Sequence, residues 1–287
     1  MGVGSVVTAV VDAHVHLHSC YRPGELLTRA AENLSKVRPP STLPARRSMY
    51  LLMAECRGDD AFGTLKVLAD EPATGASRAD LSAGGMSLGG WSVHATDEAS
   101  SVIVQNARAR MYIVAGRQIA CREGLEVLVL GTVAKFEDGR PIREVLRETE
   151  VLDVPRVIPW GPGKWFGRRG RLLNELLLEF RKPTLFLGDE GGRPGFWHYP
   201  SHFAYGQRLG VRDLPGTDPL PFSHDIDKVG RMGFCVPVEL NPTRPAASLI
   251  EALINPTTSF ERFATLEPPL RFVRNQIGMQ LRKHRLM

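Results

Sequence analysis

Four polar residues stand two apart near the start of the chain, Asp12, His14, His16 and His18, in the run Val10-Val11-Asp12-Ala13-His14-Val15-His16-Leu17-His18. On a strand, residues two apart share a face, so the four fall on one side and Ala13, Val15 and Leu17 on the other. The run before them, Val6–Val11, is almost wholly apolar, as a strand buried on both faces must be. The histidines therefore close a buried strand. Imidazoles about 7 Å apart along a strand can converge on one divalent cation, and neutral imidazole is a good ligand for zinc, iron or manganese. The same residues also suit a half-buried strand whose polar face meets water; the apolar lead-in argues against that.

A second segment, Pro159-Trp160-Gly161-Pro162-Gly163-Lys164-Trp165-Phe166-Gly167-Arg168-Arg169-Gly170, is suited to holding an anion. Its glycines allow close backbone approach. Lys164, Arg168 and Arg169 offer donors, the arginines bidentately, and Trp160 can wall a pocket or stack on a ring. The spacing is not that of a P-loop, because Trp165 stands where Ser or Thr is required. A glycine-rich turn with inward tryptophans and surface arginines is the competing reading. In Leu187-Gly188-Asp189-Glu190-Gly191-Gly192-Arg193, Asp189 could bind substrate, ligate or act as a base, or simply pair with Arg193. His198 and His202 have helical spacing, but Pro200 between them disfavours a regular helix. His94 and His224 are isolated and read as structural.

The elements that must position these residues alternate between strand-length apolar runs and helix-length amphipathic ones, the pattern of an α/β chain. Strands are expected at Val6–Leu17, Met49–Ala54, Met111–Ala115, Glu126–Gly131, Arg156–Pro159, Thr184–Gly188 and Phe234–Val238. Helices are expected at Glu25–Lys36, Asp60–Ala69, Ile142–Glu148 and Arg171–Arg181. Glu123-Gly124 reads as a hairpin turn, and Glu71–Gly90, rich in Gly, Ala and Ser, as a loop or lid. The 287 residues suffice for an eight-stranded barrel. With 43% hydrophobic and 23% charged residues, the chain is neither disordered nor fibrous. No apolar run reaches the ~18 residues of a membrane helix. Four scattered cysteines, Cys20, Cys56, Cys121 and Cys235, form no CxxC pair, which disfavours a zinc ribbon or a disulfide scaffold. The cytoplasm is the expected compartment. The net charge of +5 favours an anionic partner. No recognition helix, zinc finger or RNA-binding motif directs that charge to nucleic acid, and no Gly-x-Ser-x-Gly elbow points to a serine hydrolase.

Asp12-x-His14-x-His16 closing a first strand resembles the opening motif of metal-dependent hydrolases of the amidohydrolase type, and more particularly of the polymerase and histidinol phosphatase (PHP) family. Val114-Ala115-Gly116-Arg117-Gln118, followed by the hairpin to Leu130-Gly131, resembles that family's Gly-x-Glu hairpin unit. Pro215-Gly216-Thr217-Asp218 resembles its late Gly-Ser-Asp strand end. The resemblance spans residues 6 to about 233. It implies a distorted TIM-like (β/α) barrel over 1–240, with 241–287 as a helical extension packed on it.

It also implies one or two divalent ions (Zn, Mn or Fe) on His14, His16 and Asp218, with Glu55 as a further ligand, and hydrolysis of a phosphate ester. Asp218 would be a ligand or the base for metal-activated water. Lys164 and Arg168 would offset developing charge, and Lys164, Arg168, Arg169, Trp160 and Asp189 would bind a small anionic substrate. The chain departs from the family where Gln118 replaces a glutamate ligand, where Glu55 ends the family's Thr-Asp-His turn, and where the histidines of its Ala-His-Pro strand end and after the late Asp are absent. A mononuclear C–N or lactone hydrolase, or a silent barrel that binds an anionic ligand, are the alternatives.

Overall fold

A computed structural model describes residues 5–70, 88–197 and 199–285, the side chains of 283–285 excepted. His198 and most of the stretch expected as a loop or lid, residues 71–87, lie outside the described residues.

Among the described residues, twelve strands and seven α-helices follow one another. They are β1 (Ser5–Val15), α1 (Pro23–Lys36), β2 (Arg47–Met53), α2 (Ala61–Asp70), β3 (Ser92–Ala95), β4 (Ser101–Gln105), β5 (Arg110–Val114), β6 (Gly116–Ala120), β7 (Glu126–Leu130), α3 (Ile142–Glu150), β8 (Arg156–Pro159), α4 (Gly167–Glu179), β9 (Leu185–Gly188), α5 (Ser201–Arg208), β10 (Arg212–Asp213), a 3-10 helix (Ser223–Lys228), β11 (Met232–Leu240), α6 (Pro245–Ile254), β12 (Glu261–Ala264) and α7 (Pro269–Arg285). Every strand and helix expected from the sequence is present, with ends shifted by a few residues.

The strands do not close into a barrel. They form two mixed sheets, β12-β11-β1-β2-β5-β4-β3 and β10-β9-β8-β7-β6, and the expectation of a TIM-like barrel is corrected accordingly. The reason lies in the connections. Parallel strands need a crossover of about a dozen residues or more. The segments 96–100, 106–109 and 121–125 are far shorter than that, so β3–β4, β4–β5 and β6–β7 pair antiparallel. On the other side of β1, β11 also runs antiparallel to it. Only β1, β2 and β5 in one sheet, and β8, β9 and β10 in the other, retain the parallel pairing of a barrel.

The two sheets face each other. Val7, Ala9, Val11 and Ala13 of β1, Tyr50 and Leu52 of β2, and Leu128, Val157 and Phe186 of the second sheet share one core, closed at one side by Ala246, Leu249 and Leu253 of α6. The opposite face of the first sheet is covered by α1 and α2, and that of the second by α3 and α4. β1 is thus buried on both faces, and each large apolar side chain so buried stabilises the fold by roughly 1.5–3 kcal/mol. Residues 241–287 supply α6, edge strand β12 and α7. α7 is anchored by Asn275, which donates to Asp225, and by Arg271 on Asp225 and Glu267. No described helix is long and apolar enough to cross a membrane.

Among the described residues no ladder joins the two sheets. The isolated bridge Glu55–Arg117 links them on one side, and on the other the loop after β10 meets the tip of β1, where Asp218 N donates to His14 O at 2.8 Å. The functional residues gather along this seam.

Candidate metal centre

The tip of β1 is not a regular strand. Its register with β2 shifts between Asp12 and Val15. Before the bulge, Val10 packs under α1 and α2 while Val11 and Ala13 pack between the sheets; after it, Val15 has crossed to the helix side. Alternation has therefore slipped by one residue, and the expected common face of Asp12 with the histidines is corrected. Asp12 is a clamp. It is fully buried and accepts from Thr217 N (2.9 Å), Thr217 Oγ1 (2.5 Å) and Gly230 N (2.8 Å). Burial pushes its carboxyl up to about 6, against those donors. Its bonds tie the 217 loop to β1. Gly216 lets the loop pass, since a Cβ there would sit 2.4 Å from His14 N.

His14 and His16 turn toward the seam, 3% and 4% exposed. Their Nε2 atoms are 3.0 Å apart, and Gln118 Oε1 of β6 lies 3.0 Å from His14 Nε2. Asp218 Oδ1 lies 3.6 Å from His14 Nε2 and 3.3 Å from His16 Nε2. Two imidazole nitrogens, a carboxylate oxygen and an amide oxygen thus share one small volume. Tetrahedral bonds of about 2.0–2.1 Å place ligand atoms about 3.3 Å apart, and the observed edges of 3.0–3.6 Å bracket that value. The donor set fits one divalent ion held by His14, His16 and Asp218, with Gln118 as a neutral fourth donor.

The surroundings suit a cation. Burial alone would raise Asp218, yet the His14 and His16 rings hold it well below the usual carboxylate range. Burial alone would lower His16, yet its bond to Asp218, helped by Cys56, raises it to about 9. These groups face one another in a way that calls for positive charge between them, from a proton or from a metal ion. Behind His14, Glu190 Oε1 lies 3.3 Å from Nδ1; neither atom has a hydrogen-bond partner. That is the placement of the carboxylate that orients a metal-bound histidine. Burial, with the nearby Asp218 charge, pushes Glu190 well above its ordinary value. Asp218 takes a left-handed φ of +43°, uncommon outside glycine and tolerated best by Asn and Asp. With 24% of its side chain exposed, it is where solvent meets the cluster.

Lys164 lies beside this group. Burial would lower its ammonium, but Glu126, at 2.5 Å, and the more distant Glu190 and Asp218 keep it charged. Trp160 is buried, with its ring 5.6 Å from that of Trp197, and forms wall rather than contact surface. Cys56 and Gln118 help line a 160 Å3 cavity that runs from the cluster past Arg57 and Lys135.

Three expected site residues lie elsewhere, and a fourth is redirected. Glu55 is buried but faces Arg117 at 3.0 Å and accepts from Phe62 N at 2.7 Å, outside the donor cluster. Its backbone carbonyl instead fixes Gln118 N. Asp189 pairs with Arg193 at 2.8 Å and with Arg262, so of the two adjacent acids it is Glu190 that reaches the histidines. Arg168 and Arg169 line a different cavity, with Arg122 and Arg143. His94 bonds Ser92 and Gln105, and His224 bonds Asn275. His202 rests on Trp165.

No protein-family model matches the chain, and no curated protein is similar to it. Among solved structures, the crystal structure of PsfC from Pseudomonas syringae superposes with a TM-score of 0.54 at 15% identity, over 96% of this chain and 98% of that one. The likeness is one of fold. It extends over nearly the whole length of both chains.

Proposed function

We propose that the protein is a mononuclear metal-dependent hydrolase acting on a small anionic substrate, with a phosphate ester as the leading class. The observation that carries this is the meeting of His14 Nε2, His16 Nε2 and Asp218 Oδ1 at tetrahedral-edge spacings, with Gln118 Oε1 3.0 Å from His14 Nε2 and Glu190 behind His14. A divalent ion at such a site lowers the pKa of water toward neutrality and polarises the bond under attack. His14, His16 and Asp218 would hold it, and the uncharged Gln118 would leave its net charge higher than a further carboxylate would. Glu190 fixes the tautomer and angle of the His14 ring. Lys164, kept charged, holds the anionic group of the substrate and offsets charge that develops on it. The cysteines are all free, which fits a reducing compartment such as the cytoplasm. The resemblance of the first strand to PHP hydrolases supports the same chemistry.

A second reading, hydrolysis of a C–N bond or lactone, is favoured by one feature. Among the described residues one group of donors, His14, His16 and Asp218, could hold an ion, and Arg168 and Arg169 line a different cavity, so neither would grip a phosphate there. The test is metal analysis of the purified protein with parallel screens on phosphate esters, carboxamides and lactones. Phosphatase activity lost in the His14→Ala/His16→Ala variant supports the leading reading. Turnover of lactones or amides alone supports the second. Full activity in that variant overturns both.

A further inference from the structure

A cavity of 760 Å3 lies away from the histidines and is lined by Arg122, Glu123, Arg143, Arg168, Arg169, Arg171, Leu172 and Glu175. Its size falls within the range of small-molecule sites. The lining carries five arginines against two glutamates, and both glutamates are already engaged. Glu123 Oε2 accepts from Ile142 N at the start of α3, and Glu175 pairs with Arg143 at 2.7 Å. Arg143 is also held by Glu179.

The other four arginines have no carboxylate within salt-bridge distance among the described residues. Arg169 donates to Gly163 O at 2.9 Å, and its guanidinium rests against Gly124 at the β6–β7 turn, 3.1 Å from where a Cβ would stand. Arg122, Arg168 and Arg171 are exposed around the rim. Guanidiniums from the β6–β7 hairpin and from α4 thus surround one concavity in excess over its two carboxylates, a repulsive arrangement that a multiply charged anion relieves. Leu172 is the one apolar side chain in the lining and there is no aromatic ring, so recognition there rests on charge and not on base stacking.

We infer that this cavity binds a compact polyanion carrying a diphosphate group. The inference does not depend on the metal centre, which lies on the seam between the sheets. The test is equilibrium dialysis of the full-length protein against radiolabelled inorganic diphosphate, with EDTA present and ionic strength held constant. Wild type should bind about one equivalent, at least tenfold tighter than sulfate. Arg168→Ala/Arg171→Ala should weaken binding at least tenfold with an unchanged melting temperature. Arg122→Glu, on the other element, should give a comparable loss, and His14→Ala/His16→Ala should leave binding intact. Absence of binding by wild type, equal binding by the arginine variants, or a loss confined to the histidine variant would each overturn the inference.

Discussion

The histidine cluster and the arginine cavity are built from residue types of equal chemical promise, and they differ in what encloses them. At the seam, His14 and His16 are almost fully buried and their donor atoms point at one another and at Asp218. At the cavity, Arg168 and Arg171 are exposed and their charges spread over a broad concavity. Burial makes the first arrangement exacting. Polar atoms out of water must be paired or hold an ion, because leaving them unmet costs a large fraction of a domain's stability. Water makes the second forgiving, since exposed charges are screened and each contributes little to folding. One region should therefore be sensitive to single atoms and the other only to net charge.

The largest contrast is expected from His14→Ala/His16→Ala. Removing two ligands should lower zinc or manganese affinity by well over ~100-fold, more than the loss of an outer-shell partner, in equilibrium metal titrations. Arg168→Ala/Arg171→Ala should leave that affinity unchanged. A metal loss in the arginine pair would erase the distinction between the two regions.

Next is Glu190→Gln, which keeps the shape but removes the carboxyl group behind His14. Metal affinity should fall by roughly 10–100-fold, whereas Asp189→Asn should act on stability through Arg193 and Arg262. Equal metal affinity in wild type and Glu190→Gln would assign Glu190 a merely structural place.

Asp12→Ala should cost about 3 kcal/mol in urea unfolding, because the buried donors of Thr217 and Gly230 lose their acceptor. Metal affinity should weaken with it, since Asp218 rides on the same loop. A neutral effect would show that the loop is held by other means.

Asp225 marks the support behind that loop, accepting from Leu220 N and pairing with Lys228 at 3.0 Å. Burial would raise its carboxyl, but the Lys228 ammonium depresses it. A depressed folded value contributes stability that is present above the unfolded value of about 3.9 and is lost as pH falls through the folded one. Asp225→Asn should therefore flatten the acid limb of the stability curve below about pH 4, measured by urea unfolding against pH. The smallest effect belongs to the exposed arginines. Arg168→Ala should change unfolding free energy by less than ~0.5 kcal/mol.

Several of these features were legible in the chain itself. The apolar lead-in and two-residue spacing marked β1 and its histidines because those signals are local and periodic. The bulge after Asp12 leaves no such mark, so the spacing alone puts Asp12 on the face of the histidines although it faces Thr217 and Gly230. The adjacency of Asp189 and Glu190 was visible, but which of them meets His14 depends on how the chain leaves β9. Arg168 and Arg169 follow a strand, as site residues do, yet α4 carries them to the hairpin side and only Lys164 stays near the cluster. The two-sheet fold could have been inferred from connections 96–100, 106–109 and 121–125, which are too short for crossovers. The sheet-on-sheet contact itself is not encoded in any one segment.

The most direct test of the metal centre is anomalous diffraction from a crystal soaked in zinc or manganese. The account predicts one peak about 2.0–2.2 Å from His14 Nε2, His16 Nε2 and an Asp218 oxygen. Full-occupancy metal elsewhere, with the histidine rings still hydrogen-bonded to each other, would contradict it.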